Sequence, residues 1–183
     1  MVLRLNSDHA GPIFIGGPEP GIVTIAEYDP QWPTRFEHER ARIGSALGER
    51  AKRIEHIGST AVRGLAAKPI VDILVLVDDV EDDAAHVKLL ETAGYVLRVK
   101  EPGHRMLRTV AKDVHVHLWD SAAEVERHVK FRDRLRANET GSWPKSRAAS
   151  PPRALRTKRD ASNVARDRER IRQLFHARRI DRY

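Results

Sequence analysis

Residues 55–77, EHIGSTAVRGLAAKPIVDILVLV, lead from a turn of small residues into the most apolar run of the chain. The run KPIVDILVLV (68–77) has few polar interruptions, which predicts a central strand covered on both faces. Asp72 is the exception, because a carboxylate within an apolar strand needs a cation, a metal or several hydrogen bonds to offset its loss of hydration. The stretch predicts a buried strand with one functional acid; the alternative is a structural aspartate satisfied within the fold.

The turn Gly58-Ser59-Thr60 precedes that strand and offers backbone N–H groups and two hydroxyls, which suit a phosphate group. Lys68 lies four residues before Asp72, so an extended chain places both on one face of the strand, where Lys68 would serve a ligand near Asp72. Most turns of this composition only reverse the chain. The turn therefore predicts a phosphate site through its combination with Asp72.

The run VHVHL places His115 and His117 on one face of a strand, with Cβ atoms about 7 Å apart. Two such imidazoles can bind a metal or a phosphate, or transfer a proton. The alternative is a pair of histidines hydrogen-bonded within the sheet. Arg105, on the neighbouring run HRMLRTV, is expected to reach the same cleft, and His56 lies next to the Gly58 turn.

The composition is that of a soluble globular protein, with 183 residues, 40% apolar residues and 32% charged residues, which predicts one main domain. The absence of cysteine excludes disulfides and any cysteine-based metal site. No apolar run approaches the roughly 20 residues of a membrane span, and the first residues lack the apolar core of a signal peptide. We therefore expect a cytoplasmic protein without a membrane segment.

The positive charge is concentrated towards the C-terminus. Residues 1–120 carry 15 Lys/Arg against 18 Asp/Glu, a net −3, whereas residues 121–183 carry 18 against 8, a net +10. Such a basic region can attract phosphates or nucleic acid, the alternative being a solvated helical periphery. Nucleic acid is the less favoured partner, because aromatic residues are too sparse there for a base-stacking surface.

The chain divides into a loosely ordered Gly/Pro-rich leader (1–20), a domain (21–138), and a linker with a basic helix (139–183). Within the domain the patterns predict strands at 21–28, 51–57, 68–77, 95–101, 104–110 and 113–119, and helices at about 29–48, 78–93 and 121–138. Asp29 is the expected cap of the first helix, and Ser121 with Glu124 forms a capping box for the last. This order predicts an α+β fold, with a mixed sheet and packed helices.

Four stretches together resemble the GrpB family over about residues 22–138: YDPQWPTRFEHERARIGSALG, RIEHIGSTAVRGLAAKPIVDILVLV, VHVHLW and RHVKFRDRLRAN. Two features depart from the family pattern. Arg63 stands where the family generally has proline, which adds a cation to the turn, and the resemblance fades past about residue 139.

The resemblance implies a nucleotidyltransferase-like fold and a domain that is sometimes fused to dephospho-coenzyme A kinase, so an enzyme of coenzyme A synthesis is a candidate partner. Nucleotidyltransferases use a Gly-Ser turn for the triphosphate and two carboxylates at alternate strand positions for two Mg²⁺ ions. Here Ile70 and Leu74 occupy the positions alternate to Asp72, so the pair is incomplete.

By that resemblance Ser59, Thr60 and Lys68 would bind phosphates. Asp72, His115 and His117 would be the catalytic residues and would hold at most one divalent metal, Mg²⁺ or another. We therefore expect a nucleotidyltransferase-like cleft that binds a nucleotide or another phosphorylated small molecule, with slow or absent transfer. The alternatives are a non-catalytic nucleotide- or coenzyme-binding accessory module and, less favoured, a nucleic-acid-binding protein.

Overall fold

The computed structural model describes residues 12–17 and 24–137, which form one six-stranded sheet with three helices. The strands follow the order β1-β4-β5-β6-β3-β2, and all neighbours are antiparallel except β3 and β6. The strands are β1 (Ile13–Phe14), β2 (Arg53–Ile57), β3 (Val71–Leu76), β4 (Tyr95–Glu101), β5 (His104–Thr109) and β6 (Val114–Trp119). The helices are α1 (Gln31–Leu47), α2 (Val87–Thr92) and α3 (Ala122–Ala137).

The main core lies between one face of the sheet and helices α1 and α2. Apolar residues of α1 recur at helical spacing, and the buried ones pack against alternate residues of β3 and β6. The cluster includes Trp32, Phe36, Ile43, Leu47, Val71, Ile73, Val75, Val87, Leu90, Val114, Val116 and Leu118. The predicted role of Asp29 at this end of α1 is confirmed in part: Pro30 takes the N-cap position, and the Asp29 carboxylate accepts a hydrogen bond from the Gln31 amide at 2.8 Å.

Helix α3 covers part of the opposite face. Val125 and Val129 pack there with Ile57 and Leu74. Buried Arg132 fixes the helix to β2, donating to the Glu55 carboxylate at 2.7 Å and to the His56 carbonyl oxygen at 3.0 Å. The Ser121 hydroxyl accepts from the Glu124 amide at 3.3 Å, as the capping pattern predicts. Strand β3 is thus covered on both faces, as its apolar sequence predicts.

Two predicted elements differ from the structure. Within the predicted strand 21–28, residues 24–28 contribute only an isolated bridge between Ala26 and Ala67, and residues 21–23 lie outside the described part. The predicted helix 78–93 begins at Val87, after a series of turns. Residues 13–14, inside the expected leader, form the edge strand β1 against β4.

The α+β class with a mixed sheet and packed helices is confirmed. The linker and basic helix predicted for 139–183 lie outside the described residues, as does most of the leader. In the described ranges, no helix combines the length and the apolar character needed to cross a membrane.

Candidate functional site

Asp72, His115 and His117 converge on the α3 face of the sheet. The parallel pairing of β3 with β6 sets Asp72 beside His115 and Leu74 beside His117. The Asp72 Oδ1 atom lies 3.4 Å from His115 Nδ1 and 3.7 Å from His117 Nε2. The sequence predicts that these three side chains share one cleft, and the structure brings them together.

Partial cover by α3 leaves this cluster accessible. The helix packs over Leu74 and Trp119, whereas the side chains of Asp72, His115 and His117 remain 29%, 23% and 24% exposed. Asp72 is therefore neither in closed core nor on open surface. A ligand can reach the three side chains from solvent while the sheet fixes their backbone.

The Gly58 turn contacts the Asp72 side chain directly. Gly58 has φ +72°, and a Cβ atom at this position would lie 2.5 Å from Asp72 Oδ2. Ser59 is exposed, but Thr60 is buried and its hydroxyl donates to the Ile70 carbonyl oxygen at 3.0 Å. The turn places its backbone and Ser59 near the cleft, whereas the Thr60 hydroxyl ties the turn to β3.

The environment of Asp72 favours its ionised form. Burial alone would raise the pKa of Asp72, but the interactions of its carboxylate with the neighbouring imidazoles of His115 and His117 outweigh burial and lower the pKa to about 2. Asp72 thus stays an anion at any pH at which the protein is expected to work. It provides a permanent negative charge for a cation in the cleft.

Acid titration should reveal this carboxylate. Because the folded-state pKa of Asp72 lies below the ordinary value of 3.8, its stabilising contribution is complete above about pH 4 and is lost as the pH falls through about 2. We expect wild type to lose about 2 kcal/mol more than Asp72→Asn across this interval, measured by urea unfolding from pH 2 to 7. Parallel pH profiles for the two proteins would contradict this expectation.

Arg105 does not join the cleft, which corrects the prediction from sequence. It pairs with Leu118 across β5 and β6, so it lies on the face opposite to His115 and His117. Its buried guanidinium donates to Asp83 at 2.8 Å and to Glu81 at 2.5 Å. Arg105 anchors the acidic loop after β3 and is not available to a ligand near Asp72.

Two further residues singled out from sequence also lie away from the three converging side chains. His56 is on the α1 face, stacked on Phe36 with ring centroids 4.8 Å apart. Burial lowers the pKa of His56 to about 4, so it is neutral at physiological pH. Lys68 is exposed in the loop before β3, and no contact joins it to Asp72 within the described ranges.

A cavity of about 510 Å³ opens beside the same turn, lined by Tyr28, Pro30, Pro33, Ala61, Arg63 and Arg136. Ala61 ends the short 3₁₀ helix (Ser59–Ala61) that follows Gly58. Arg136 donates to the Ala61 carbonyl oxygen at 3.0 Å, which holds the end of α3 against the turn. The cavity therefore brings two cations close to the backbone segment that contacts Asp72.

His104 and Glu101 extend this group of side chains, although the sequence patterns did not predict either of them. His104 Nε2 lies 3.1 Å from His117 Nδ1, and His104 Nδ1 lies 2.6 Å from a Glu101 carboxylate oxygen. When β5 and β6 are paired residue by residue, starting at the turn between them, His104 lies opposite Trp119 and on the same face as the other two histidines. That register was the available signal, since alternate residues of both strands must share a face.

The ligand atoms of Asp72, His115 and His117 lie within 4.8 Å of one another and are the one such group in the part of the chain that the structure describes. Ligand atoms about 2.1 Å from one ion at tetrahedral angles are separated by about 3.4 Å, which the distances of 3.4 Å and 3.7 Å from Asp72 Oδ1 to the two imidazole nitrogens approach. A second metal would need another carboxylate, and the alternate positions on β3 are Ile70 and Leu74. The arrangement can hold one cation with coordination positions left for a ligand.

Comparison with known proteins agrees with the sequence stretches that form this site. The sequence profile described as "GrpB protein" matches residues 22–142, about two thirds of the chain. The chain belongs to the GrpB family. Among solved structures it is similar to the conserved protein GrpB from Enterococcus faecalis, with 37% identity and a TM-score of 0.55 over 63% of this chain and 73% of that one.

Among curated relatives, this GrpB-family chain is 50% identical to a UPF0157 protein of Streptomyces coelicolor over 125 residues, 68% of this chain and 67% of that protein. It is 44% identical over 127 residues to a UPF0157 protein of Halalkalibacterium halodurans, covering 67% and 65%. A stretch of 76 residues is 37% identical to a dephospho-CoA kinase of Mycolicibacterium paratuberculosis, covering 40% of this chain and 19% of that protein. The chain thus spans about two thirds of the first two relatives and a small part of the kinase.

Proposed function

We propose that this GrpB-family protein binds a nucleotide or another phosphorylated small molecule in the cleft beside the Gly58 turn, with one divalent metal held by Asp72, His115 and His117. The observation that carries the proposal is the convergence of these three side chains next to a turn that contacts Asp72, whose Oδ1 atom lies 3.4 Å from His115 Nδ1 and 3.7 Å from His117 Nε2. A cleft with a fixed anion, two imidazoles and an adjoining cationic cavity suits a metal-bound phosphate better than an apolar ligand.

The cationic cavity supports the phosphorylated part of the proposal. Arg63 is exposed at its rim, and Arg136 extends from the end of α3. Arginine side chains recognise phosphate oxygens through charge-assisted hydrogen bonds. Tyr28 and two prolines give the same cavity an apolar wall, which suits the less polar part of a nucleotide.

The metal would be held by Asp72, His115 and His117, and when bound it would neutralise and polarise phosphate oxygens. A nucleotidyltransferase-like reaction normally relies on two metals held by paired carboxylates. With one acid on β3, we expect nucleotidyl transfer by this chain to be slow or absent. Ligand binding is therefore the primary function that we propose.

A non-catalytic accessory role is the second candidate, and the single carboxylate on β3 favours it. The similarity to part of a dephospho-CoA kinase suggests an enzyme of coenzyme A synthesis as the partner. A cytoplasmic location remains a prediction from the sequence. The nucleic-acid alternative depends on the basic residues 121–183, of which the structure describes only 121–137, and no contact of that described part favours it.

Calorimetric titration of the full chain with nucleoside triphosphates and coenzyme A precursors, with and without divalent metal, tests the proposal. Without metal, Asp72→Asn should preserve binding or tighten it by about fivefold, because it removes an anion worth about 1 kcal/mol of repulsion at 4 Å in water. With metal, the same variant should lose the metal-dependent gain that wild type shows.

Arg63→Ser should weaken phosphate binding by about fivefold, while Arg40→Ser, which removes an exposed arginine of α1, should not. Absence of binding to every phosphorylated ligand, with and without metal, would overturn the proposed function. Brisk turnover of nucleotide with Mg²⁺, abolished by Asp72→Asn, would show instead that the chain is a working transferase.

A further inference from the structure

A line of polar contacts extends from the cleft to the turn between β4 and β5. Glu101 Oε1 lies 2.6 Å from His104 Nδ1, and His104 Nε2 lies 3.1 Å from His117 Nδ1. At the other side of the His117 ring, Nε2 lies 3.7 Å from Asp72 Oδ1. Both nitrogens of His117 are therefore committed, one to His104 and one to the cleft.

The direction of each hydrogen bond follows from the carboxylate at the end of the line. A carboxylate only accepts, so His104 Nδ1 carries a hydrogen and donates to Glu101. In the form in which each ring carries one proton, His104 Nε2 is an acceptor and His117 Nδ1–H is its donor. The unprotonated nitrogen of His117 is then Nε2, which faces Asp72.

An unprotonated nitrogen facing a carboxylate oxygen at 3.7 Å is a contact between two acceptors. Such a pair repels unless a cation lies between the atoms. His115 Nδ1 lies 3.4 Å from the same Asp72 oxygen, so the three side chains together offer three ligand atoms to that cation. These contacts therefore orient His117 for metal binding in the metal-free protein.

We propose that Glu101 and His104 are positioning residues that fix His117 with Nε2 unprotonated, and that Asp72, His115 and His117 thereby select a late first-row transition metal such as Zn²⁺ over Mg²⁺. The inference rests on the proposed metal site and adds the class of metal and the residues that orient its ligand. Two imidazoles and one carboxylate suit Zn²⁺, Co²⁺ or Ni²⁺, whereas Mg²⁺ prefers oxygen ligands in octahedral geometry.

Packing holds His104 in the orientation that this role needs. Its ring stacks on Trp119, with centroids 4.3 Å apart, and lies nearly parallel to His117 at 5.3 Å. His104 is only 7% exposed, so its ring cannot turn freely. Histidines that bind metals commonly donate their second N–H to a fixed acceptor, which sets the tautomer and raises affinity.

The tautomer can be observed without metal. Two-bond ¹H–¹⁵N correlation spectra of the full metal-free chain, with His117 assigned by its substitution, should show His117 protonated at Nδ1 and unprotonated at Nε2. Glu101→Gln should mix the two tautomers, because an amide can donate as well as accept. Protonation of His117 at Nε2 in the metal-free wild type would overturn the positioning role.

Metal competition titrations provide the second measurement. Wild type should bind Zn²⁺ at least about 100-fold more tightly than Mg²⁺, and Glu101→Gln and His104→Phe should each weaken Zn²⁺ binding by about tenfold. His104→Gln, whose amide oxygen can accept from His117, should recover part of the loss. The controls Glu91→Gln and His38→Gln, on exposed helix surface, should leave the affinity unchanged.

The outcomes separate the inference from the proposed function. Equal Zn²⁺ affinity for wild type and Glu101→Gln, or a preference for Mg²⁺, would overturn the inference and leave the phosphorylated-ligand site standing. No binding of any divalent metal would remove the metal site and the inference together. Circular dichroism of each variant identifies a loss of fold, and Glu101→Gln preserves the volume of the replaced side chain.

Discussion

Gly58→Ala is expected to lower the free energy of unfolding by about 3 kcal/mol and to disturb the cleft. Gly58 has φ +72° and ψ −175°, a region that residues with a Cβ atom avoid at a cost of about 1–3 kcal/mol. The added methyl group would also lie 2.5 Å from Asp72 Oδ2 and 3.1 Å from Asp72 Cβ. Asp72 must therefore move, and its Oδ1 atom, which faces both histidines, moves with it.

Urea unfolding gives the loss of stability, and the Gly64→Ala variant is its matched control. Gly64 has φ +77°, but a Cβ atom added there would meet no atom of the described residues within 4 Å. The control carries the strain of a positive φ without the contact, so its loss should be smaller by about 1–2 kcal/mol. Equal losses for the two variants would mean that the close approach of Gly58 to Asp72 contributes nothing.

The sequence predicts the centre of the fold well because its patterns there are local. An apolar run with one acid predicts a buried strand, and β3 is covered by the α1 core on one face and by α3 on the other. Alternation in VHVHL predicts two histidines on one face, and their convergence with Asp72 needs only that β6 lies beside β3. The parallel pairing supplies that neighbour.

Arg105 and His104 show where local pattern is not sufficient. Both belong to β5, and only the register against β6 decides which of them faces the cleft. The sequence favoured Arg105 as the residue of β5 that reaches the cleft. Its pairing with Leu118 instead places it on the core face, where it donates to Glu81 and Asp83. A shift of one residue in register would have exchanged the two.

The acid within β3 now has a physical account. Asp72 lies where α3 no longer covers the sheet, so it keeps partial access to water and offsets its burial with two imidazoles. The strand around it remains apolar because Leu74 packs under α3 and Ile73 under α1. Asp72 is therefore a partly exposed acid on an apolar strand, with His115, His117 and the Gly58 turn as close neighbours.

Zn²⁺ at about 100 times its dissociation constant is expected to stabilise wild type by about 2.7 kcal/mol, and His115→Ala should lose nearly all of this gain. A metal that binds the folded state shifts unfolding by mass action, which corresponds to a rise in Tm of about 5–10 °C for a chain of this size. His115 supplies one of three ligand atoms, so its removal leaves Asp72 and His117 as a two-ligand site. Differential scanning calorimetry with and without a chelator measures the shift.

His38→Ala is the matched control, because it also removes one of the nine histidines and so leaves the same number to bind metal in the unfolded chain. His38 lies on the exposed side of α1, and its loss should leave the shift in Tm unchanged. Since protons compete with metal for imidazole nitrogens, the wild-type shift should also grow as the pH rises from 6 to 8. An equal metal-dependent shift in His115→Ala and His38→Ala would place the metal elsewhere and refute the site at Asp72.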